Sequence, residues 1–102
     1  MKMHELASLH VTTNVGTIWV SCDAPTEPGW IGIKAWASTS SGFVPDDLLN
    51  LLGRVNANVV CFGSFHRGHG PVLSNATYYV RVATYGTSGE SAISDEFQVR
   101  TS

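Results

Sequence analysis

Two histidines and a cysteine come nearest, in type and spacing, to a metal or thiol site. His66 and His69 are separated by two residues, and Cys61 precedes them on the chain. Two imidazoles cannot fill the four positions of a tetrahedral zinc site, and the spacing supplies no nearby further ligand. A metal- or thiol-dependent enzyme would require His66, His69 and Cys61 to converge in the fold. The pattern favours a solvated loop that carries two histidines, and we expect neither a metal nor a cofactor.

The carboxylates are no better arranged for catalysis. Asp46 and Asp47 are adjacent, and adjacent helical positions point apart, so we interpret them as charges at the start of a helix. Asp95 and Glu96 alternate across a strand-like run and diverge in the same way. The glycine loops lack a following helix and a lysine for phosphate, and no Gly-x-Ser-x-Gly elbow occurs. The sequence therefore predicts that the chain is not an enzyme.

Both cysteines of the chain, Cys22 and Cys61, lie inside apolar runs of strand length. Cysteine outside disulfides is among the most buried residue types, so the sequence favours two thiols in the core. The alternative is a disulfide between two strands, which needs an oxidising compartment. No flanking residue would activate either thiol, which argues against a catalytic cysteine.

Aromatic side chains are a better lead to function. Alternation along segment 30–38 divides its side chains between two faces. One face carries Trp30, Lys34 and Trp36, and the opposite face carries Ile31, Ile33 and Ala35. On the outside of a sheet the first set is a possible binding face, because such rings stack on sugars or anchor a protein partner. Burial is the alternative: the leucine-rich segment that follows covers Trp36, and a neighbouring strand or loop covers Trp19.

Length and composition bound the fold and the partners. The chain has 102 residues, 43% of them hydrophobic and 14% charged, which suits one domain with a packed core. The net charge of −2 comes without a basic stripe, so we expect no nucleic-acid partner. No apolar run exceeds strand length, so we expect no membrane insertion. Residues 1–8 resemble neither a signal peptide nor an anchor, and we expect a flexible segment there before a domain at 9–102.

Alternating apolar and polar residues, punctuated by turn residues, predict strands through most of the chain. Segment 45–53 differs: Pro45 suits a first helical position, three leucines share one helical face, and Gly53 is a stop signal. We therefore predict an all-β, seven-stranded, immunoglobulin-like sandwich of two antiparallel sheets with a short helical insert at 45–53.

Segments 18–25 and 73–82 resemble fibronectin type III domains. Ile18-Trp19-Val20-Ser21-Cys22-Asp23-Ala24-Pro25 is similar to the second strand of that family, with Cys22 where its core tryptophan lies. Leu73-Ser74-Asn75-Ala76-Thr77-Tyr78-Tyr79-Val80-Arg81-Val82 is similar to its Leu-x-Pro-Gly-x-x-Tyr-x-Val-x-Val motif. The resemblance implies that Tyr78 is a corner tyrosine whose hydroxyl bonds to backbone near Leu73, and that Cys22, Val80 and Val82 are structural.

Cys22 in place of the family's core tryptophan leaves a large side-chain volume unfilled. Ala35, on the third strand, is also smaller than the bulky residue that the family usually has there. We expect the leucine-rich segment after Phe43 to compensate by folding over the gap, so that a charge at Leu51 or Leu52 destabilises the domain.

A narrower resemblance points to the fibronectin type III modules of phage tail-tip host-specificity proteins. It is carried by Gly32-Ile33-Lys34-Ala35-Trp36-Ala37-Ser38-Thr39 and by Tyr78-Tyr79-Val80-Arg81-Val82-Ala83. It implies a non-catalytic spacer or contact module, excised from a longer protein, that meets neighbouring domains and a host-surface glycan or protein. Its location would be the virion tail, after synthesis in the bacterial cytoplasm. The alternative is a carbohydrate-contacting accessory domain of a secreted bacterial glycan-degrading enzyme.

Overall fold

Alternating apolar side chains form strands through most of the chain. The computed structural model describes residues 9–22, 29–66, 70–87, 89–90 and 93–102, so the expected flexible segment 1–8 lies outside it. The strands are β1 (His10–Asn14), β2 (Thr17–Ser21), β3 (Trp30–Ser38), β4 (Leu51–Val55), β5 (Val59–Phe62), β6 (Thr77–Gly86), β7 (Gly89–Glu90) and β8 (Phe97–Arg100).

These strands form two antiparallel sheets. The three-stranded sheet has the order β1-β2-β5, and the other has β4, β3 and β6 in order, with β7 and β8 both beside β6. β7 pairs with the end of β6 and β8 with its beginning. Because β7 and β8 occupy one edge in succession, they act as a single interrupted strand. The all-β, seven-stranded sandwich predicted from the sequence is therefore confirmed.

The core lies between the sheets and is built from the inward side chains of both. Ile18 and Val20 of β2 face Ile33 of β3 and Val80 and Val82 of β6, and all five have 0% exposure. Burying an aliphatic side chain of this size contributes about 1.5–3 kcal/mol, so this cluster stabilises the pairing of the two sheets.

Strand β3 contains a bulge that moves Ile31 out of the core. Trp30 pairs with Gly86 and Gly32 pairs with Tyr85, which leaves Ile31 as an extra residue without a partner on β6. Ile31 is 37% exposed. The sequence prediction that Ile31 shares the core face was therefore wrong, because alternation holds only within a continuous register. Gly32 lies where an added Cβ would be 1.7 Å from the Val55 carbonyl oxygen, so only glycine fits this approach.

The helical insert predicted at 45–53 is not present. Residues 47–50 form a turn and β4 begins at Leu51; no α-helix occurs in the described parts of the chain. The Asn50 N–H donates to the Asp46 carbonyl at 3.1 Å, which closes one turn. The Asn50 side chain then accepts from the Asp46 N–H and donates to the Val44 carbonyl, so it caps the turn instead of extending it. Leu51 and Leu52 continue as a strand.

The two ends of the described chain lie at opposite ends of β1. His10 begins β1 opposite Ser21, while the Ser102 N–H donates to the Asn14 carbonyl at its far end. Five strand residues separate these points by about 13 Å. The domain is elongated, with principal extents of 39 × 24 × 22 Å.

Candidate functional site

The outer face of β3 carries two of the three residues predicted as a binding face. Lys34 and Trp36 alternate with the core residues Ile33, Ala35 and Ala37, so they project away from the sandwich core. Both are nevertheless buried, each with 2% exposure. Something outside the sheet must therefore cover them.

The cover is residues 43–50, which we call the 43–50 segment. Phe43 packs against a second apolar cluster formed by Trp36, Leu51 and Ala83 on the outer side of the five-stranded sheet. Trp36 is thus enclosed by the leucine-rich region, which is the burial alternative drawn from the sequence. Trp30 is half-buried at the start of β3. The three residues therefore do not form an open aromatic surface in this structure.

Asp47 fastens the 43–50 segment to β3 through a three-residue network. Its Oδ2 lies 2.6 Å from Lys34 Nζ, and its Oδ1 accepts a hydrogen bond from Trp36 Nε1 at 3.0 Å. Lys34 Nζ also lies 5.1 Å from the centroid of the Trp36 ring, within reach of a cation–π interaction. The hydrogen bond from Lys34 lowers the pKa of Asp47, burial opposes that shift, and the bond from Trp36 lowers the pKa further. Both carboxylate oxygens of Asp47 have partners on β3, so the network attaches the 43–50 segment to that strand.

A second carboxylate holds the beginning of this covering region. Glu96 accepts hydrogen bonds from Ser41 Oγ and from the Gly42 N–H, both at 2.8 Å. Asp46 stays in the turn, where its Oδ1 accepts from the Leu48 N–H at 2.7 Å. The role of Glu96 was not predicted from the sequence, because Glu96 acts across more than fifty residues of chain. Asp46, which the sequence placed at the start of a helix, instead bonds within this turn.

The structural residues named from the sequence lie in the core. Cys22 has 6% exposure and Tyr78 has 3%, while Val80 and Val82 have none. The Tyr78 hydroxyl accepts a hydrogen bond from the Leu73 N–H at 2.8 Å, which is the contact the family resemblance implies. This bond ties the loop before β6 to the strand itself.

The two cysteines occupy different environments. Cys22 belongs to the core cluster, but Cys61 is exposed on the outer face of the three-stranded sheet, and they form no disulfide. The prediction of two core thiols was therefore wrong for Cys61. The pairing of Trp19 with Cys61 sends both side chains outward, while Val60 and Phe62 turn inward. All four residues of β5 are apolar, so the sequence does not indicate which side of this strand faces the core.

Cys61 and His66 line one cleft of about 500 Å³ between β4 and β5. Asp47 and Arg54 lie at the same cleft. His69 is outside the described residues, so its convergence with Cys61 and His66 stays untested. Among the described residues no three His, Cys, Asp or Glu side chains are grouped closely enough to hold a metal ion. No described helix is long and apolar enough to cross a membrane.

The open aromatic side chain is Trp19, with 41% exposure. It lies in the central strand of the three-stranded sheet, between its register partners Thr12 on β1 and Cys61 on β5. We call seven outward side chains of this sheet the Trp19 face, leaving out Thr17 because its hydroxyl is buried: His10, Thr12, Asn14, Trp19, Ser21, Val59 and Cys61. The sequence indicated that Trp19 points away from the core, but not whether another element covers it.

Solved structures of fibronectin type III domains match the whole fold. A Fn3-like protein from Clostridium thermocellum has a TM-score of 0.67 and 15% identity, over 100% of this chain and 96% of that one. The human fibronectin type III domain containing protein 3 has a domain with a TM-score of 0.65 and 14% identity, over 100% of this chain and 90% of that one. The FN1–FN3 domains of chicken CNTN1 give 0.69 and 14%, over 94% of this chain and 31% of that one.

These likenesses establish the fold. No protein-family model matches the sequence. No curated protein matches it either. The fibronectin type III fold predicted from segments 18–25 and 73–82 is thus supported by the structure.

Proposed function

We propose that this chain, which has the fold of fibronectin type III domains, is a non-catalytic spacer and contact module of a larger protein. The observation that carries the proposal is the placement of the chain ends. Leu9 precedes the start of β1, whereas Ser102 bonds to Asn14 at the other end of that strand. Domains joined before and after this one would therefore leave it at opposite ends of β1, which suits a spacer.

The parent protein that we propose is a phage or prophage tail-tip protein, with the module in the virion tail after synthesis in the bacterial cytoplasm. The support is the sequence resemblance carried by segments 32–39 and 78–83. These segments belong to β3 and β6, which pair directly, Trp36 with Arg81 and Ala37 with Val80. The resemblance thus falls on one continuous patch of sheet. Its partners would be neighbouring domains and a host-surface glycan or protein.

A second candidate is an accessory domain of a secreted bacterial glycan-degrading enzyme. The observation that favours it is the exposure of Trp19 on a polar, uncharged sheet face. The two candidates share a non-catalytic role and differ in the parent protein and in its location.

An antibody raised against the folded domain tests the proposal in the source organism. Immunoblots of whole cells, of purified phage particles after prophage induction and of culture supernatant are compared. A band far larger than the 11.0 kDa of this chain, enriched with the particles and gold-labelled at the tail tip, supports the first candidate. A large band in the supernatant that copurifies with glycan hydrolysis supports the second. A band at the size of the isolated chain alone overturns both.

A further inference from the structure

We propose that the Trp19 face binds an uncharged glycan, with the Trp19 indole as the stacking surface. The proposal rests on the contact role proposed above and names the class of ligand and the place where it binds.

The geometry of the face suits a flat ligand. Trp19 is central in β2 and has Thr12 and Cys61 directly beside it on the neighbouring strands. Neighbouring strands lie about 4.8 Å apart, so side chains border the ring at that spacing on both sides. The next row of the sheet is formed by His10, Ser21 and Val59. A pleated sheet holds these positions rigidly, which limits the entropy lost on binding.

The chemistry of the face matches a sugar. A pyranose ring presents C–H groups on its flat side and hydroxyls around its rim. The indole face attracts the C–H groups, and its N–H is a donor at the ring edge. Thr12 and Ser21 contribute hydroxyls that both donate and accept, and Asn14 contributes its amide N–H groups, since its oxygen already accepts from the Val15 N–H. An apolar surface surrounded by such groups can bind the two parts of a sugar together.

The absence of Asp, Glu, Lys and Arg from the Trp19 face favours a neutral glycan over an acidic one. None of the seven side chains of the Trp19 face is Asp, Glu, Lys or Arg. Recognition of carboxylate or sulfate groups uses Arg or Lys. Among the described residues, Lys34, Arg54, Arg81 and Arg100 belong to the other sheet, on β3, β4, β6 and β8, and Arg100 contacts β1 through its backbone carbonyl. An acidic polysaccharide would therefore gain nothing from the Trp19 face, whereas a neutral one loses no solvated charge there.

The polar border of the ring favours a sugar over a protein. The core of a protein interface is usually apolar, with several large side chains around an aromatic anchor. Here Val59, with 54% exposure, is the large aliphatic residue among the seven, and the two residues that directly flank the ring, Thr12 and Cys61, are both small. The face therefore lacks the several large apolar side chains of a protein interface core.

The test is a titration of the ¹⁵N-labelled domain, followed by the amide and indole N–H signals in NMR spectra. The probes are cellohexaose, maltohexaose, xylohexaose and mannohexaose, with a polygalacturonate oligomer as the charged counterpart. We expect at least one neutral probe to shift the Trp19 indole signal and the amides of β1, β2 and β5, with a Kd at or below about 1 mM.

Matched variants locate the site. Trp19→Ala is expected to weaken that binding by about tenfold or more, and Trp19→Phe to retain part of it. Ile31→Ala is the control, because Ile31 has a similar exposure of 37% but lies on the other sheet, and it should leave the Kd unchanged. Circular dichroism melts verify that each variant is folded.

Several outcomes overturn the proposal. They are no shift with any neutral probe at about 10 mM, binding of the charged probe alone, or undiminished binding by Trp19→Ala. Dimerisation of the domain that Trp19→Ala abolishes would assign the face to a protein contact and overturn it as well. None of these results alters the immunoblot, so failure here is distinguishable from failure of the proposed module role.

Discussion

Asp47 Oδ1 lies 3.0 Å from the indole nitrogen of Trp36, eleven residues earlier in the chain. This bond and the 2.6 Å contact of Oδ2 with Lys34 join a surface turn to the outer side of β3. Phe43, in the same 43–50 segment, packs against Trp36 and so covers part of the surface that the sequence predicted as a binding face. The Asp47 carboxylate thus helps to hold the cover over Trp36 in place.

Replacing this carboxylate should loosen the 43–50 segment. We expect Asp47→Asn to reduce the free energy of unfolding by about 1 kcal/mol, because Lys34 loses its anionic acceptor while the 55% exposure of the Asp47 side chain screens the interaction. Urea unfolding at neutral pH measures the loss. Asp95→Asn is the control, since Asp95 is exposed, and it should have little effect. Equal stability of Asp47→Asn and the parent chain would contradict the role assigned to this network.

The same network predicts a pH dependence. The folded state lowers the pKa of Asp47 below 3.8, chiefly through the hydrogen bond from Lys34. A lowered folded pKa means that the stabilising contribution is present above the unfolded value and is lost as pH falls through the folded one. The stability difference between the parent chain and Asp47→Asn should therefore be constant from about pH 7 to about pH 5 and shrink at more acid pH. A difference that grows on acidification would contradict this assignment.

Removing the Tyr78 hydroxyl should cost stability without changing the fold. Tyr78→Phe leaves the Leu73 N–H without its acceptor, and we expect a loss of about 1–2 kcal/mol in thermal or urea unfolding. Tyr85→Phe is the matched control, because it removes an exposed bond to Asn56 Oδ1 at 2.7 Å. That loss should stay within about 0.5 kcal/mol. Similar losses for the two variants would remove the special role of Tyr78.

Leu52 belongs to the core cluster that contains Cys22, so a charge there should be severe. We expect Leu52→Asp to destabilise the domain by about 3–5 kcal/mol, through lost packing and a buried carboxylate. Leu49→Asp, at a position with 69% exposure, should remain close to the parent stability. Thermal melting curves of Leu52→Asp and Leu49→Asp measure this difference in stability. The hypothesis that this leucine-rich region compensates for the missing tryptophan fails if they unfold together.

The cysteines should differ in reactivity. An aromatic disulfide reagent should modify Cys61 rapidly in the native protein and Cys22 only on unfolding, because Cys22 has 6% exposure. Absorbance of the released thiolate should show two phases of one thiol each. Cys61→Ser should remove the fast phase and Cys22→Ser the slow one. Two equally slow phases would place Cys61 in the core after all.

The predictable part of this fold follows from local patterns. Strand β3 was predicted with its observed bounds, Trp30–Ser38, because its side chains divide between two faces and glycine precedes it, although the bulge at Ile31 was not foreseen. The Tyr78 contact came from a motif within one segment. By contrast, Leu48, Leu51 and Leu52 fit a helical face equally well, and only the pairing of β4 with β3 shows that they are divided between a turn and a strand.

The candidate site was less predictable, for the same reason. Whether Trp36 or Trp19 is open depends on which element covers each ring. For Trp36, Asp47 and Glu96 hold the covering segment in place through contacts with distant parts of the chain, and no periodicity encodes those contacts. Turn chemistry marks Asp46 and Asn50 locally, but it leaves the direction of Asp47 undetermined.

The placement of the chain ends has a mechanical consequence. A pull between Leu9 and Ser102 is directed along β1, and it draws β1 and β8 past each other lengthwise. Thr13 Oγ1 donates to the Arg100 carbonyl, and the Ser102 N–H donates to Asn14, so the cross-links between these two segments are loaded together in shear. Bonds that share a load resist it better than bonds that open in sequence. Tension applied between Leu9 and Ser102 would therefore be opposed by hydrogen bonds loaded in shear, not by bonds that open one at a time.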